Sequence, residues 1–332
     1  MVKVVNNSNN PYYNLAFEEY MLKQEGINSL FFIWQNEPVV VIGKNQNAYD
    51  EVDIEYLKKS DIALVRRISG GGAVYHDLGN INFTFIDLTT KGVAFDFARF
   101  TAPVIKTLDK IGIKAQHEGR NDITIAGKKF SGNAQFRQGA KVMHHGTLLY
   151  NVDLENMTNV LNVNTEKMGA KGVKSVRSRV TNISEHLDID LSVEEFKELL
   201  IKNLQAELKI MDTIILKADD LAQITNLCNN KYMSWDWNYG KSPDYNLKRQ
   251  KKFPWGLIEF RLKVDKGIIN NCKIYGDFFA YEDISLLEEK FLQVEYKPRA
   301  LSALLERIDI TAYLPNTNKG EILDLLLGQE KG

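Results

Sequence analysis

Residues 66–77 read RRISGGGAVYHD: Arg66 and Arg67, then Ser69, then Gly70, Gly71 and Gly72 in succession, leading into Ala73, Val74, Tyr75 and His76. Glycines reach backbone angles closed to other residues, so successive N–H groups can converge on one phosphate or carboxylate. The two arginines add charge-assisted bonds, each worth about 1.5–3 kcal/mol where water is excluded. A tight turn rarely uses three glycines, which puts anion binding ahead of a plain turn. Upstream, 62–65 ends an apolar strand pattern; downstream, INFTFID at 81–87 alternates Ile81, Phe83 and Phe85 with Asn82 and Thr84. The loop is therefore expected between strands. That context excludes a Walker loop and a dinucleotide fingerprint, since both open a helix and neither spacing occurs.

Outward from the loop, Leu15, Phe17, Met21 and Leu22 predict an amphipathic first helix with its glutamates on the opposite face. FFIW at 31–34 and PVVVIG at 38–43, split by QNE, predict a hairpin, and Ile54 with Leu57 a short helix. Phe97, Phe100, Val104, Leu108 and Ile111 mark one face of a helix ending at Gly112. NDITI at 121–125 and KKFSGNA at 128–134 form a strand pair turning at Ala126 and Gly127, with HHGTLLYNV at 144–152 a further strand. Ser192 and Glu195 form a capping box for a helix with Phe196, Leu200, Leu204 and Leu208 on its apolar face.

Between Tyr232 and Pro254, aromatics mix with Gly, Pro and a basic run, which reads as an interdomain connection with a boundary near Leu247. Beyond it, LIEFRLKV and INNCKIYG flank DKG as a hairpin, followed by helical patterns in DISLLEEKF, ALSALLERI and GEILDLLL. The expected class is α+β. A large domain over 1–246 carries a mixed, largely antiparallel sheet, and a small α+β domain spans 247–332. A chain of 332 residues is in any case long for one ordinary core.

Lys and Arg total 42 against 43 Asp and Glu, a net charge of −1, so no global field attracts nucleic acid or an acidic membrane. Basic sites must be local. Cys228 and Cys272 match no disulfide framework or CxxC pattern, and no apolar run approaches the roughly 20 residues of a membrane span. A cytoplasmic protein is expected.

The second basic site is GRNDITIAGKKFSGNA, where Lys128 and Lys129 alternate across a strand, so one points inward and the other to water. An inward lysine near the glycine loop suits bound phosphate plus developing negative charge, as in acyl-adenylate formation. Asp122 is a candidate to help hold Mg2+, an ion that favours a few carboxylate oxygens plus substrate phosphates. His76, His144 and His145 lack a third ligand at metal spacing, and Ser69 and Ser131 lack the GxSxG elbow of a hydrolase. A third cluster gathers Lys171, Lys174, Arg177 and Arg179 within KGVKSVRSRVTNI, and three local clusters favour a nucleotide substrate.

Taken together, RRISGGGAVYHDLGN, GRNDITIAGKKFSGNAQ, HHGTLL and AKGVKSVRSRVTNI resemble, in order and spacing, the signatures of the lipoate-protein ligase A family. PYYNLAFEEYML, WQNEPVVVIGKNQNAYDEV and SWDWNYGKSP extend the resemblance over nearly the whole chain. It implies a catalytic domain of the biotin/lipoate ligase type and an accessory C-terminal domain. The implied reaction turns lipoate and MgATP into lipoyl-AMP. A lysine of an apo lipoyl domain, in a glycine-cleavage H protein or an oxo-acid dehydrogenase acyltransferase subunit, then takes the acyl group.

By the same resemblance the lipoate-binding loop falls on 66–72, and nucleotide contacts fall on Arg67 and 72–75. The lysine shared by both ligands is Lys129, which stands one residue before Phe130, Ser131 and Gly132. Asn121, His145 and Gly146 belong to the matched signatures, and a loop carrying Lys171 and Arg177 folds over the adenylate. The rival expectations are an ATP-independent octanoyl or lipoyl transferase and a lipoate-binding protein without catalysis. Transferases of that kind generally use a cysteine, or a lysine with a thioester donor, and lack the accessory domain.

Overall fold

The computed structural model describes residues 1–88, 95–161, 179–240 and 245–328. Contacts divide it into two compact units: Met1–Ile42, Ala48–Ile68 and Ala73–Asn238 form one, and Gly43–Asn47, Ser69–Gly72 and Tyr239–Gly332 the other.

The first unit holds an eight-stranded mixed sheet. Its strands are β1 (Val2–Val4), β2 (Leu30–Trp34), β6 (Asn80–Leu88), β7 (Ala115–Glu118), β8 (Asp122–Ile125), β9 (Lys128–Gln138), β10 (Lys141–Leu149) and β11 (Thr213–Ile214). Their order is β11-β1-β2-β6-β10-β9-β8-β7, parallel at the β11-β1-β2 end and antiparallel elsewhere. A smaller sheet of β3 (Val39–Ile42), β4 (Ala63–Arg66) and β5 (Val74–His76) has β3 at its centre. The glycine loop does lie between strands, β4 and β5.

On one face of the large sheet, Phe31, Ile33, Ile81, Phe83 and Phe85 meet Phe100, Val104 and Leu108 of the helix Phe97–Asp109. Phe196, Leu200 and Leu204 of the helix Val193–Glu207 join the same core. On the other face, Leu30, Phe32, Trp34, Ile86 and Met143 meet Leu15, Phe17 and Met21 of α1 (Pro11–Lys23) and Val39, Val41 and Val65 of the small sheet. Covering both faces explains why Asn82 and Thr84, which alternate with the phenylalanines of β6, are buried and not wet.

Three expectations are corrected here. The runs 31–34 and 38–43 form no hairpin: β2 pairs with β1 and β6, while β3 pairs with β4 and β5. Both runs are apolar throughout and buried on both faces, and Asn36 between them spends its side chain on buried partners. The first helix is not amphipathic, because Glu18 and Glu19 are only 1% and 5% exposed. The basic run in the expected connection is a strand, β12 (Leu247–Phe253), whose side chains alternate between exposed and half-buried.

In the second unit β12 pairs with β13 (Gly256–Asp265), which pairs with β14 (Ile268–Gly276), all antiparallel. Phe260, Leu262 and Ile274 of this sheet pack with Phe291, Leu301, Leu305, Ile322 and Leu326 from the C-terminal helices.

Candidate active site

Lys129 is presented by a fault in strand pairing. Across β8 and β9, Asp122 stands opposite Gly132 and Ile123 opposite Ser131; the register then slips, and Thr124 stands opposite Lys129. The extra residue in β9 breaks its alternation and brings Lys129 and Gly132, three apart, to one side. A Cβ on Gly132 would lie 3.2 Å from Lys129 Nζ, so the glycine leaves room for the ammonium. Lys129 Nζ bonds Asp122 Oδ1 at 2.7 Å, with both side chains 38% exposed. Lys128 faces solvent, as alternation requires. The Lys129 carbonyl accepts from Thr181 N at 3.0 Å, which ties the end of the third basic segment to this strand.

On the α1 side of the sheet lies a buried polar network that the sequence reading missed. Trp34 Nε1 donates to Thr84 Oγ1 at 2.9 Å, Thr84 donates to Glu18 at 2.5 Å, and His145 Nδ1 lies 3.0 Å from both Glu18 oxygens. Glu19 takes Lys23, Lys231 and the Tyr232 hydroxyl, each at 2.6 Å. Burial alone would raise the Glu19 carboxyl, yet these three donors hold it below its usual range. The signal available in sequence was two adjacent glutamates within an otherwise apolar helix.

Arg67 is buried beside this network, donating to the Val41 carbonyl at 3.1 Å. Burial lowers its pKa to about 10, against the pull of Glu18. His76 accepts from Asn36 Nδ2 at its Nδ1, 3.0 Å away, and Asn36 is held in turn by Asn14 at 2.8 Å. Burial, then Arg67 and His145, lower the His76 pKa to about 3. Among the described residues, His76 Nε2, Asn80 Oδ1 and Asn82 Nδ2 are buried without a partner, as polar atoms that meet a ligand or solvent would be.

The structure shows packing and hydrogen-bonding partners for the other expected residues. Arg66 donates to the carbonyls of Trp237 and Asn238, each at 2.8 Å, and its own carbonyl accepts from Trp237 Nε1. It fastens the segment Trp235–Asn238. Within the second unit, a Cβ on Gly70 would sit 2.3 Å from the Phe278 carbonyl oxygen, and Gly71 has φ +92°. Gly72 has open space where a Cβ would stand, so packing accounts for Gly70 and backbone angle for Gly71. Ser69 is fully buried, its carbonyl bonded to Lys44 N at 2.8 Å. Ala73 and Val74 lead into β5, where Tyr75 is buried and its hydroxyl is pushed up by burial and by Asp77.

Asn121 and Asn133 lock the β8–β9 pair through reciprocal side-chain to carbonyl bonds of 2.6 and 3.0 Å, and Ser131 accepts from Asn133. Gly146 is a packing glycine, since a Cβ would meet Asn133 Oδ1 at 2.2 Å and the Phe83 ring at 2.4 Å. The adjacent histidines part company: His145 meets Glu18, while His144 is sealed between Phe83 and Phe100, bonded to Gln135 and Asn133. Lys171, Lys174 and Arg177 lie outside the described residues. Among the described residues no group of three His, Cys, Asp or Glu gathers to hold a metal ion, and Asp122 is already neutralised by Lys129. At that carboxylate a divalent cation would compete with the Lys129 ammonium. Both cysteines are free, buried and pushed up by burial, so neither is poised as a thiolate.

Comparison with known proteins bears on what these groups do. The model of the lipoyl protein ligase A/B catalytic domain matches residues 10–205, and that of the bacterial lipoate protein ligase C-terminus matches 242–326. The chain is 41% identical over 325 residues to the lipoate-protein ligase LplJ of Bacillus subtilis, covering 96% of this chain and 98% of that one. The crystal structure of P. falciparum LipL1 in complex with lipoate superposes with a TM-score of 0.82 at 26% identity, covering 98% and 99% of the two chains. A lipoate-protein ligase A bound with ATP superposes at 0.62 with 27% identity, covering 72% of this chain and 98% of that one. This chain belongs to the lipoate-protein ligase family.

Proposed function

We propose that the protein activates free lipoate with ATP and passes the lipoyl group to a lysine of an apo lipoyl domain. In the first step a lipoate carboxylate oxygen attacks the α-phosphorus of ATP, pyrophosphate leaves, and lipoyl-AMP forms. In the second the acceptor amine attacks the acyl carbon and AMP leaves. The observation that carries this reading is the Lys129 ammonium, half-exposed on a bulged strand with Gly132 cleared beside it. A positive charge there stabilises the anionic phosphate and the developing oxyanion more than it does the ground state.

His76 Nε2 and Asn82 Nδ2 are buried donors available to a polar substrate atom, and Arg67, charged in a dry setting, is suited to an anionic one. Mg2+ enters with the nucleotide as MgATP, and no step is assigned to a protein-held ion. We take 1–246 as the catalytic domain and 247–332 as accessory. Two free, buried cysteines agree with a cytoplasmic setting, and they weigh against the cysteine-dependent transferase alternative. Incubation with lipoate, MgATP and separate apo acceptor domains, read by mass, should add one lipoyl group to a receptive domain. Acylation from a thioester donor, with none from lipoate and ATP, would replace this reading with the transferase.

A further inference from the structure

In the second step the attacking nitrogen arrives as an ammonium, since a lysine side chain titrates at about 10.4. It needs a seat close to the acyl carbon, and it must lose protons. A carboxylate holding an ammonium at 2.7 Å already exists at Asp122, where the present occupant is Lys129. At 38% exposure this carboxylate is open to an incoming side chain. Glu18 and Asp77, two carboxylates among the described residues near the buried groups, are committed elsewhere. Glu18 is 1% exposed and bonded to Thr84 and His145, and Asp77 accepts from the backbone of Gly79 and Asp153.

We propose that Asp122 is the receiving site for the acceptor lysine, vacated when Lys129 turns to the acyl phosphate. This rests on the ligase reading above. Lys129 is suited to the exchange, being a point charge on a flexible stem beside a residue with no side chain. The acceptor ammonium replaces it on Asp122 and passes one proton through the carboxylate to solvent. Its nitrogen then bonds the acyl carbon as the acyl C–O bond breaks, AMP leaving with that electron pair. The second proton follows the same route as the nitrogen becomes an amide. Asp122 thus serves the step after adenylation, and its pairing with Lys129 keeps both groups in place beforehand.

Hydroxylamine, a small amine uncharged at neutral pH, captures lipoyl-AMP as a hydroxamate and needs neither an ammonium seat nor a base. With the full chain, lipoate and MgATP, Asp122→Asn should lower transfer to an apo lipoyl domain about 10²-fold more than it lowers hydroxamate formation. Asp122→Glu, which keeps the charge, should recover part of that difference. Equal losses in the two assays would make Asp122 a support for Lys129 alone and overturn the proposal. So would a loss that added Mg2+ restores, since that marks a metal ligand. Absence of hydroxamate with the unaltered protein would instead count against the ligase reading itself.

Discussion

His76 and His144 are buried as neutral imidazoles, with pKa about 3 for His76 and a shift in the same direction for His144, burial being the main cause in both. Both refer to an ordinary value near 6.5. As pH falls below that value the unfolded chain takes up protons that the folded one refuses. The stability they contribute is therefore full at neutral pH and declines by about 1.4 kcal/mol per pH unit for each histidine. Urea unfolding at pH 7 and pH 5.5 should show the loss, and His144→Gln should flatten the slope; parallel slopes would contradict it. Glycines separate in the same assay. Gly146→Ala drives a Cβ into Asn133 and Phe83 and should cost about 1–3 kcal/mol, whereas Gly72→Ala meets nothing and should stay within about 0.5.

At the scale of elements, the β8–β9 pair was readable because Ala126–Gly127 is a turn and the flanking runs are strand-like; both turn residues indeed have positive φ. The register slip was not readable, since a bulge leaves no mark in a pattern of period two, yet it decides that Lys129 shares a side with Gly132. Gly132→Ala should therefore leave stability within about 0.5 kcal/mol, yet displace the ammonium and lower adenylate formation about 10-fold or more. Unchanged formation would mean that the cleared space is incidental. The missed network has a similar origin. Glutamates on a helix usually mark its wet face, and only partners distant in sequence, Thr84, His145, Lys231 and Tyr232, make Glu18 and Glu19 interior groups. The hairpin expectation failed because apolar runs buried on both faces say nothing of which strand they pair with.

At the scale of the molecule, the division of the chain gives the glycine loop to the unit that contains the C-terminal sheet, while β4 and β5 on either side belong to the other. Phe291 is fully buried in the core of that unit, and Phe291→Ala should cost it about 3–5 kcal/mol. Amide exchange should then quicken at 69–72 along with 272–276, and not at 63–66. Wild-type protection at 69–72 would contradict that grouping. The loop's chemical character was legible in its residues; its packing was not, because the Phe278 carbonyl that demands Gly70 comes from two hundred residues away in the chain. Lys129 and activation by ATP stand at the centre of the proposed reaction, and ATP–pyrophosphate exchange tests both most directly. The unaltered protein should exchange only when lipoate is present, and Lys129→Ala should lower that rate about 10²–10³-fold. Exchange that ignores lipoate, or a Lys129→Ala variant that exchanges at the wild-type rate, would contradict it.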